Sequence, residues 1–305
     1  MIKYQKILKS RNLRRKLLAL FSFIPDKIML RIQYYIKMGR RLDLKTPTRY
    51  TEKIQWYKLN YHNPLLPSLV DKYDVKDYIR KMNLEDCLVE DYGVYDNYDD
   101  IRWDVLPSSF VIKDTLGGGS LSVIIVKDKK SFSQEKIRSI IDRWVRSEHR
   151  KKTDGREWPY YSGKPHRIIV EKYLESKEGL TDYKFFCFNG MVGCVYVIGN
   201  RKIGGHGQLA IMDKDFNRLP YQSKTQERML SNPDKPANYE KMVKIAQTLS
   251  EGFPHVRVDL YNIEGKIYFG ELTFYGASGY QQFVPDDFDF ELGKLFKLEK
   301  YSEND

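Results

Sequence analysis

The stretch Val256–Gly279, VRVDLYNIEGKIYFGELTFYGASG, alternates polar and apolar residues on both sides of a central glycine. Alternation, a turn and renewed alternation are typical of a β-hairpin. Charged residues interrupt the apolar pattern, because Arg257, Asp259 and Glu271 stand among Val, Leu and Phe. Burying a charge is costly unless the charge is paired or bound to a metal. These three side chains therefore require partners.

The sequence predicts which side chains of this hairpin share a face. The loop in YNIEGKIY is expected to be Ile263–Gly265, three residues long, with its glycine in the left-handed conformation. The resulting cross-strand pairs are Asn262 with Lys266, Asp259 with Phe269, and Arg257 with Glu271. Because alternate residues along a strand share a face, one side is charged or polar and the other apolar. The first consists of Arg257, Asp259, Glu271 and Thr273, and the second of Val256, Val258, Leu260, Leu272 and Phe274.

The charged face has two interpretations at this point. Two carboxylates on rigid strands suit a hard cation such as Mg²⁺, which takes oxygen ligands and keeps several waters or phosphate oxygens. Alternatively, Arg257 and Glu271 form a cross-strand ion pair while Asp259 is solvated. The hairpin alone does not separate the two.

Two further segments carry residues that suit a nucleotide. In PSSFVIKDTLGGGS, Lys113 ends a predicted strand before the glycines 117–119. Glycines let backbone N–H groups approach phosphate oxygens, and a lysine adds a positive charge. In TDYKFFCF, Asp182 and Lys184 share a strand face, where they suit sugar hydroxyls and phosphate. Ordinary surface charges would produce either pattern as well.

Charge is distributed unevenly along the chain. The net charge of the 305 residues is +11, and residues 1–45 hold 13 Lys+Arg against 2 Asp+Glu, so the remainder is neutral. This basic, partly apolar arm suits either an anionic membrane surface, through residues 1–41, or a solvated helix face. No nucleic acid is expected, because the rest of the chain is neutral and lacks a recognised binding motif. The three cysteines form no metal or disulfide pattern, which favours the cytoplasm.

The remaining patterns predict an antiparallel mixture of helices and strands. Strands are expected at FVIKD, LSVIIVKD and RIIVEKYL, and a hairpin is expected through Asn189-Gly190. Helical periodicity runs through residues 1–40, 51–61 and 69–81 and returns near Tyr239–Ser250. The order differs from the strict βαβ alternation of a doubly wound sheet.

Taken in order, these pieces resemble the ATP-grasp superfamily. The shared features are a strand lysine before a Gly-rich loop, an EKYL hinge, an acidic residue on the next strand, and RVD followed by GEL. The chain is most similar to the TupA-like branch, which is associated with teichuronopeptide, capsule and other surface-polysaccharide synthesis. The segments TPTRYTEKIQWYKL, LVDKYDVKDYI, DYKFFCFNG and EGFPHVRVDLY carry that likeness over roughly residues 42–298. Several motifs in a fixed order are more specific than any one of them.

The resemblance implies an α+β ATP-grasp fold in which two lobes with mostly antiparallel sheets clamp ATP. The expected regions are a basic helical arm at 1–45, a helical segment at 46–105, a small lobe at 106–165 and a large lobe at 166–305. The resemblance places the nucleotide against Lys113, Gly117, Gly118, Gly119, Glu171, Lys172, Tyr173, Leu174 and Asp182. It implies Mg²⁺ held by Asp259, Glu271 and Thr273, and catalytic roles for Lys184 and Arg257.

Three positions depart from the family pattern. Many ATP-grasp enzymes have Asn where this chain has Thr273, although the TupA-like branch often has Thr. The run Thr115–Gly119 replaces a polar Asn-His-Gly-Ser-Gly run, which removes polar contacts from the phosphate loop. Lys76 stands where an Arg is usual. His206, Ser278 and Gly279 are weaker candidates for contact with the acceptor, each with an ordinary loop or turn role as the alternative.

The implied activity is ATP- and Mg²⁺-dependent ligation of a carboxylate to an amine through an acyl phosphate. By the same resemblance, the carboxylate belongs to a uronic acid or an amino acid on a surface-polysaccharide precursor. Two alternatives remain open. One is a glycosyltransferase-type enzyme of the same pathway, and the other is a non-catalytic scaffold that binds nucleotide or polysaccharide. The expected location is the cytoplasm, at or near the inner face of the cell membrane.

Overall fold

A computed structural model describes residues 18, 20–118, 122–146, 155–176, 179–200 and 207–298 of the chain. The predicted contacts of Gly119 and His206, and residues 1–17 and 19 of the basic arm, lie outside these residues. The helices are α1 (Asp26–Met38), α2 (Tyr50–Asn60), α3 (Leu66–Leu69), α4 (Val75–Lys81), α5 (Gln134–Val145), α6 (Tyr239–Ser250) and α7 (Asp287–Leu295). No helix in these ranges is both long and apolar enough to cross a bilayer.

The strands form three sheets, almost entirely antiparallel. Their bounds are β1 (Asp91–Tyr95), β2 (Phe110–Asp114), β3 (Val123–Val126), β4 (Ile168–Lys172), β5 (Asp182–Phe188), β6 (Met191–Gly199), β7 (Gln208–Met212), β8 (Gln222–Ser223), β9 (Glu227–Arg228), β10 (Val256–Ile263), β11 (Lys266–Thr273) and β12 (Phe283–Val284). Within the described ranges, the large sheet has the order β11-β10-β5-β6-β7-β9 and the small sheet the order β1-β4-β2-β3. The strands β8 and β12 pair separately.

The large sheet buries one face against α6. Its alternating strands send Phe185, Val195, Val258 and Leu272 into one continuous core, and α6 contributes Met242 and other apolar residues. The turn between β5 and β6 is Asn189-Gly190, and both residues have positive φ, 50° and 80°. These angles match the type I′ turn that the sequence predicts, because Asn and Gly tolerate the left-handed region.

The small sheet has a separate core. Phe110, Ile112, Ile168 and Val170 pack from one face of β2 and β4 onto α5 and the loops around Tyr98. This sheet draws β1 and β4 from outside the range 106–165 expected for the small lobe. Strand pairing thus joins segments that are more than seventy residues apart in the sequence. A lobe defined as one continuous range of residues therefore does not match this sheet.

The segment before the small sheet packs onto the large lobe. In α2, Thr51 donates its backbone N–H and its hydroxyl to the Asp289 carboxylate of α7, at 2.9 and 2.8 Å. A side chain at Gly293 would have its Cβ 2.1 Å from the Thr48 carbonyl oxygen, so glycine permits the close approach of the helices. The predicted helices at 51–61 and near Tyr239–Ser250 are therefore confirmed.

Candidate active site

The hairpin of β10 and β11 has a different register from the predicted one. Its loop has two residues, Glu264 and Gly265, with φ of 50° and 88°, so Ile263 pairs with Lys266. The prediction of a three-residue loop was therefore wrong. Above the loop, a bulge at Gly270 shifts the register again, and Asp259 pairs with Glu271.

The two deviations cancel for the faces of the hairpin. The shorter loop changes the pairing by one residue, which alone would place partners on opposite faces. The bulge adds a second one-residue change and restores the faces. The structure accordingly buries Val256, Val258 and Leu272 on the apolar side, and this prediction is confirmed.

Arg257 is the centre of the charged face. Its Nε donates to Asp259 Oδ1 at 2.6 Å and its Nη2 donates to Asp259 Oδ2 at 2.7 Å. The same Nη2 reaches Glu271 Oε1 and Thr273 Oγ1, both at 3.0 Å. The Asp259 side chain is only 4% exposed, so the interpretation with a solvated Asp259 is wrong.

Lys184 joins this cluster from the neighbouring strand. β5 pairs with β10 so that Lys184 lies opposite Asp259, and its Nζ forms an ion pair with Asp259 Oδ2. Asp182 lies on the same face two residues away and is buried. We call Lys184, Arg257, Asp259 and Glu271 the hairpin cluster. It combines two cations and two carboxylates from three adjacent strands.

Glu271 is the accessible carboxylate of the hairpin cluster. Its side chain is 39% exposed, against 4% for Asp259. Burial by itself raises the pKa of Glu271, but Arg257, Lys184 and Lys72 outweigh it and lower that pKa to about 2. Glu271 therefore stays ionised at any physiological pH and can hold a cation there.

A second cluster lies on the small sheet. Glu171 accepts from Lys113 at 2.6 Å and from Lys76 at 2.9 Å, while Lys76 also reaches Asp91 at 2.9 Å. The pKa of Glu171 is lowered because the two lysines outweigh the effect of burial. Lys76, on α4, is 4% exposed and also donates to the Val89 carbonyl oxygen. Its single ammonium group therefore has three acceptors. We call Lys76, Asp91, Lys113 and Glu171 the small-sheet cluster.

Lys72 holds the Gly-rich loop through backbone carbonyl oxygens, and sequence reasoning missed it. Its Nζ donates to the carbonyl oxygens of Gly117 at 2.5 Å and Asp114 at 3.2 Å. Burial lowers its pKa, against the attraction of Glu271 and Asp114. Lys72 also contributes to the lowered pKa of Glu271. The only sequence signal was its position in LVDKYDVKDYI, which the family resemblance had already marked.

The glycines of the loop differ in their surroundings. A Cβ at Gly117 would lie 2.2 Å from Ser122 Cβ, so the loop needs glycine there for a close approach. Among the described residues, none lies within 4 Å of the corresponding position at Gly118, which is exposed.

Lys172 does not join Lys113. It follows Glu171 in β4, so its side chain leaves the opposite face, where it is 55% exposed and pairs with Glu90 at 3.2 Å. Lys113 and Glu171 thus share one face of the small sheet, and Lys172, which was expected beside Lys113 over the nucleotide, lies on the other face. Tyr173 and Leu174 follow the strand and are half-buried, as hinge residues beside a ligand would be.

Ser278 and Gly279 lie in a turn that a buried lysine holds. Lys58 Nζ donates to the Ser278 carbonyl oxygen at 2.6 Å, to its hydroxyl at 2.8 Å and to the Gly155 carbonyl oxygen at 2.9 Å. A Cβ at Gly279 would lie 2.5 Å from Ile54 Cγ2, so Gly279 serves the packing of α2. The turn role accounts for both residues. Sequence reasoning also missed Lys58, because its partners are far away along the chain.

A cavity of about 230 Å³ lies beside the hairpin cluster. It opens over the same face of β5, β6 and β10 and is closed by the segments around β8 and β12. Its lining includes Lys184, Tyr196, Thr225, Arg257, Gln281 and Phe283. The cluster therefore adjoins a space in which a small molecule fits.

The sequence matches the family described as TupA-like ATPgrasp over residues 52–297. No individually curated protein matches the chain. Among solved structures, D-alanine–D-alanine ligase from Helicobacter pylori aligns with 17% identity over 75% of this chain and 58% of that chain, with a TM-score of 0.40. The chain thus spans less than two thirds of that ligase.

Two further solved structures align with similarly low sequence identity. D-alanine–D-alanine ligase from Bacillus anthracis, complexed with ATP, has 14% identity over 78% of this chain and 68% of its own, with a TM-score of 0.45. N5-carboxyaminoimidazole ribonucleotide synthetase in its ADP complex has 14% identity over 83% and 57%, also with a TM-score of 0.45. The family match covers most of the chain, including both clusters and the loop between them. This protein belongs to the TupA-like ATP-grasp family.

Proposed function

We propose that the protein is an ATP-dependent carboxylate–amine ligase that forms an amide through an acyl phosphate. The observation that carries the proposal is the hairpin cluster, in which Arg257 contacts Asp259, Glu271 and Thr273 within 3.0 Å. Cations and ionised carboxylates held on rigid strands suit a reaction whose catalysis is mainly positioning and charge stabilisation.

ATP would bind between the two clusters. Lys113 and the Gly-rich loop would contact the phosphates, with the exposed backbone at Gly118 nearest to them. The chain 171–174 would border the adenine, and Asp182 would accept hydrogen bonds from the ribose. Lys72 supports this assignment, because it holds the Gly117 carbonyl oxygen and because its charge helps to keep Glu271 ionised.

Magnesium fits the carboxylates of the hairpin cluster. Asp259 and Glu271 lie opposite each other, and both offer the hard oxygen ligands that Mg²⁺ takes. The described residues contain no group of three or more His, Cys, Asp or Glu that would hold a metal alone. This agrees with a metal that also takes phosphate and water ligands. Bound there, the ion would neutralise charge on the phosphates.

The chain's own residues would then act on two steps. In the first, an oxygen of the acceptor carboxylate attacks the γ-phosphorus, the bond to the β–γ bridging oxygen breaks, and ADP leaves. Arg257 and Lys184 would hold the transferring group and the attacking oxygen in line. In the second, the amine attacks the acyl carbon, phosphate leaves and the amine nitrogen loses a proton to solvent. Arg257 would stabilise the oxyanion that forms in between.

The test is Mg²⁺-dependent ADP release by the full-length protein with a matrix of carboxylates and amines. Release should require both a carboxylate and an amine. Asp259→Asn should lower it by about 10²-fold, since it removes a charge that positions two cations. The matched control is Asp215→Asn, because Asp215 is 64% exposed and, among the described residues, its carboxylate pairs with its neighbour Lys214. Carboxylate-independent release, or a binding function that survives Asp259→Asn, would favour the transferase or the scaffold instead.

The exposed face of α1 supports a further part of the proposal, docking on an anionic bilayer. Ile28, Ile32, Tyr35 and Ile36 recur at helical spacing and are 43–60% exposed. Lys27 and Arg31 flank this stripe, and residues 1–17 contain seven Lys+Arg and no acid. An apolar stripe beside basic residues fits the boundary between acyl chains and anionic headgroups. Such docking would keep the enzyme near lipid-linked saccharide precursors.

Vesicle co-sedimentation tests this docking. The protein should bind vesicles of phosphatidylglycerol and phosphatidylcholine but not phosphatidylcholine alone, and added salt should weaken the binding. Ile32→Ser with Ile36→Ser should reduce the bound fraction several-fold. Leu230→Ser is the control, because Leu230 is 89% exposed and follows β9 rather than belonging to α1. Equal binding to both kinds of vesicle would refute the proposal.

A further inference from the structure

Helix α1 lies before residues 52–297, which match the family, so the family does not account for it. One face of the helix carries the exposed apolar stripe described above. The other face is buried through Leu30, Gln33 and Tyr34, and Tyr280 packs against this face. The helix therefore touches the protein through a segment that comes some 240 residues later in the chain.

The segment that α1 contacts belongs to the wall of the cavity beside the hairpin cluster. We call residues 276–284 the wall segment. A Cβ at Gly276 would lie 3.4 Å from Arg257 Nη1, so the wall segment begins against the central cation of that cluster. Three of its side chains line the cavity, Ala277, Gln281 and Phe283. A shift of the wall segment would therefore change the shape of the cavity.

Three contacts join the wall segment to α1. The Tyr280 hydroxyl donates to Gln33 Oε1 at 2.8 Å, and Lys37 Nζ lies 3.9 Å from the centroid of the Tyr280 ring. Gln282 Nε2 donates to the Lys37 carbonyl oxygen at 2.6 Å. Gln33 and Lys37 are one helical turn apart and share a face. Because Tyr280 and Gln282 flank Gln281, the same short stretch borders α1 and the cavity.

The start of α1 reaches the wall segment by a second route. The Arg156 side chain is 3% exposed, and its Nη1 pairs with Asp26 Oδ1 at 2.9 Å while its Nη2 donates to the Phe21 carbonyl oxygen at 3.0 Å. The preceding residue, Gly155, packs on the wall segment, because a Cβ there would lie 2.1 Å from Ser278 Oγ. Both ends of α1 are thus connected to residues 276–284.

We infer that α1 positions the cavity wall through Tyr280, and that this contact sets the affinity of the cavity for the acceptor. The inference rests on the proposed ligase function and deepens it, because it assigns α1 a part in the acceptor site. Tyr280 is not one of the described residues that line the cavity. It acts through its neighbour Gln281 and through Ala277, whose carbonyl oxygen accepts the Tyr280 N–H at 3.1 Å.

The affinity for ATP should not depend on this contact. In the described part of the chain, the hydrogen bonds and ring contacts of Tyr280 involve no residue proposed to bind ATP. The two substrates therefore distinguish a positioning role from a general loss of folded protein, which would lower kcat without changing either KM.

A double-mutant cycle in the full-length protein tests the inference. Gln33→Leu and Tyr280→Phe are made singly and together, and ADP release is measured with the carboxylate–amine pair of the matrix above that the wild-type protein turns over fastest. Each single variant should raise the KM for the carboxylate about fivefold, as expected for the loss of one hydrogen bond, and should leave the KM for ATP unchanged. The double variant should match the single ones, because all three lack the same bond.

The matched control is Tyr95→Phe. Its hydroxyl also donates at 2.8 Å, to the Tyr92 carbonyl oxygen, but it lies in β1 of the small sheet, so the KM for the carboxylate should not change. Single-variant effects that multiply in the double variant would overturn the inference, as would a fall in kcat and melting temperature at unchanged KM.

Hydrogen–deuterium exchange provides a readout that does not depend on turnover. Exchange of the backbone amides of residues 276–284 should be faster in Gln33→Leu and in Tyr280→Phe than in the wild-type protein and Tyr95→Phe. Equal exchange in all four proteins would show that α1 does not position the wall segment. Failure of the ligase proposal would appear differently, as no ADP release from the wild-type protein with any pair, and the exchange rates would still decide whether α1 positions the wall.

Discussion

The two charged clusters of this protein are built in different ways. The hairpin cluster comes from three adjacent strands, and two of its members, Arg257 and Asp259, lie two residues apart. The small-sheet cluster brings together Lys76, Lys113 and Glu171, which are separated by dozens of residues. The first follows from strand alternation, whereas the second exists only after the sheet has formed. Each can be disrupted separately.

The largest expected effect follows removal of the Arg257 cation. Arg257→Met should lower ADP release by about 10²–10³-fold, because it deletes the group that contacts both carboxylates and would meet the transferring phosphoryl. Folding should persist, since Asp259 keeps Lys184 as its partner. Steady-state kinetics measures the loss. Arg228→Met, at an exposed position of β9, is the control, and equal rates for the two variants would contradict the role of Arg257.

Glu171→Gln tests the assembled cluster. The change removes the carboxylate with which both Lys76 and Lys113 form ion pairs. We therefore expect the free energy of unfolding to fall by about 3 kcal/mol. Because the folded pKa of Glu171 is lowered, its contribution is present above about pH 4.5 and is lost as the pH falls further. Chemical denaturation at pH 7 and pH 4 measures both.

The control for Glu171 is Glu90→Gln. Glu90 is 61% exposed and, in the described part of the chain, its carboxylate pairs with the exposed Lys172, so its loss should change stability by less than about 0.5 kcal/mol. A similar loss in both variants would mean that the small-sheet cluster adds nothing beyond an ordinary surface pair.

Lys58 differs from the lysines of both clusters, because backbone carbonyl oxygens and a hydroxyl rather than carboxylates accept its hydrogen bonds. Burial lowers its pKa to about 7, whereas an unfolded lysine titrates near about 10.4. Between these values the unfolded state binds more protons, so stability should rise with pH. Relative to Lys58→Met, the wild-type protein should gain about 3 kcal/mol between pH 7 and pH 10. Parallel pH curves for the two proteins would contradict the lowered pKa.

The smallest expected effect concerns the bulge. A Cβ at Gly270 would lie 3.0 Å from the Asp259 carbonyl oxygen and 3.2 Å from the Tyr261 ring, so Gly270→Ala should cost about 1 kcal/mol. Activity should fall several-fold, because the bulge sets the pairing of Asp259 with Glu271. Lys266→Ala, exposed at the loop of the same hairpin, is the control. Unchanged activity in Gly270→Ala would show that the bulge tolerates a side chain.

Prediction from the sequence worked best where the geometry is local. The alternating residues of β10 and β11 identified the charged and the apolar face, and the Asn189-Gly190 turn was recognised by its residue types. The detailed register failed, because a two-residue loop and a bulge each fit the same pattern. The prediction of the two faces still held, because two register shifts of one residue each return every side chain to its predicted face.

The sequence by itself determined the family, the alternation of the hairpin and the identity of the charges on its face, since these depend on neighbours along one strand. Only the tertiary structure decided that Lys72 would hold the Gly-rich loop, that Glu171 would join two lysines, and that Lys58 would anchor the turn at Ser278. Those contacts join segments far apart in the chain. A local pattern cannot specify them, because their distances depend on how the sheets and helices pack.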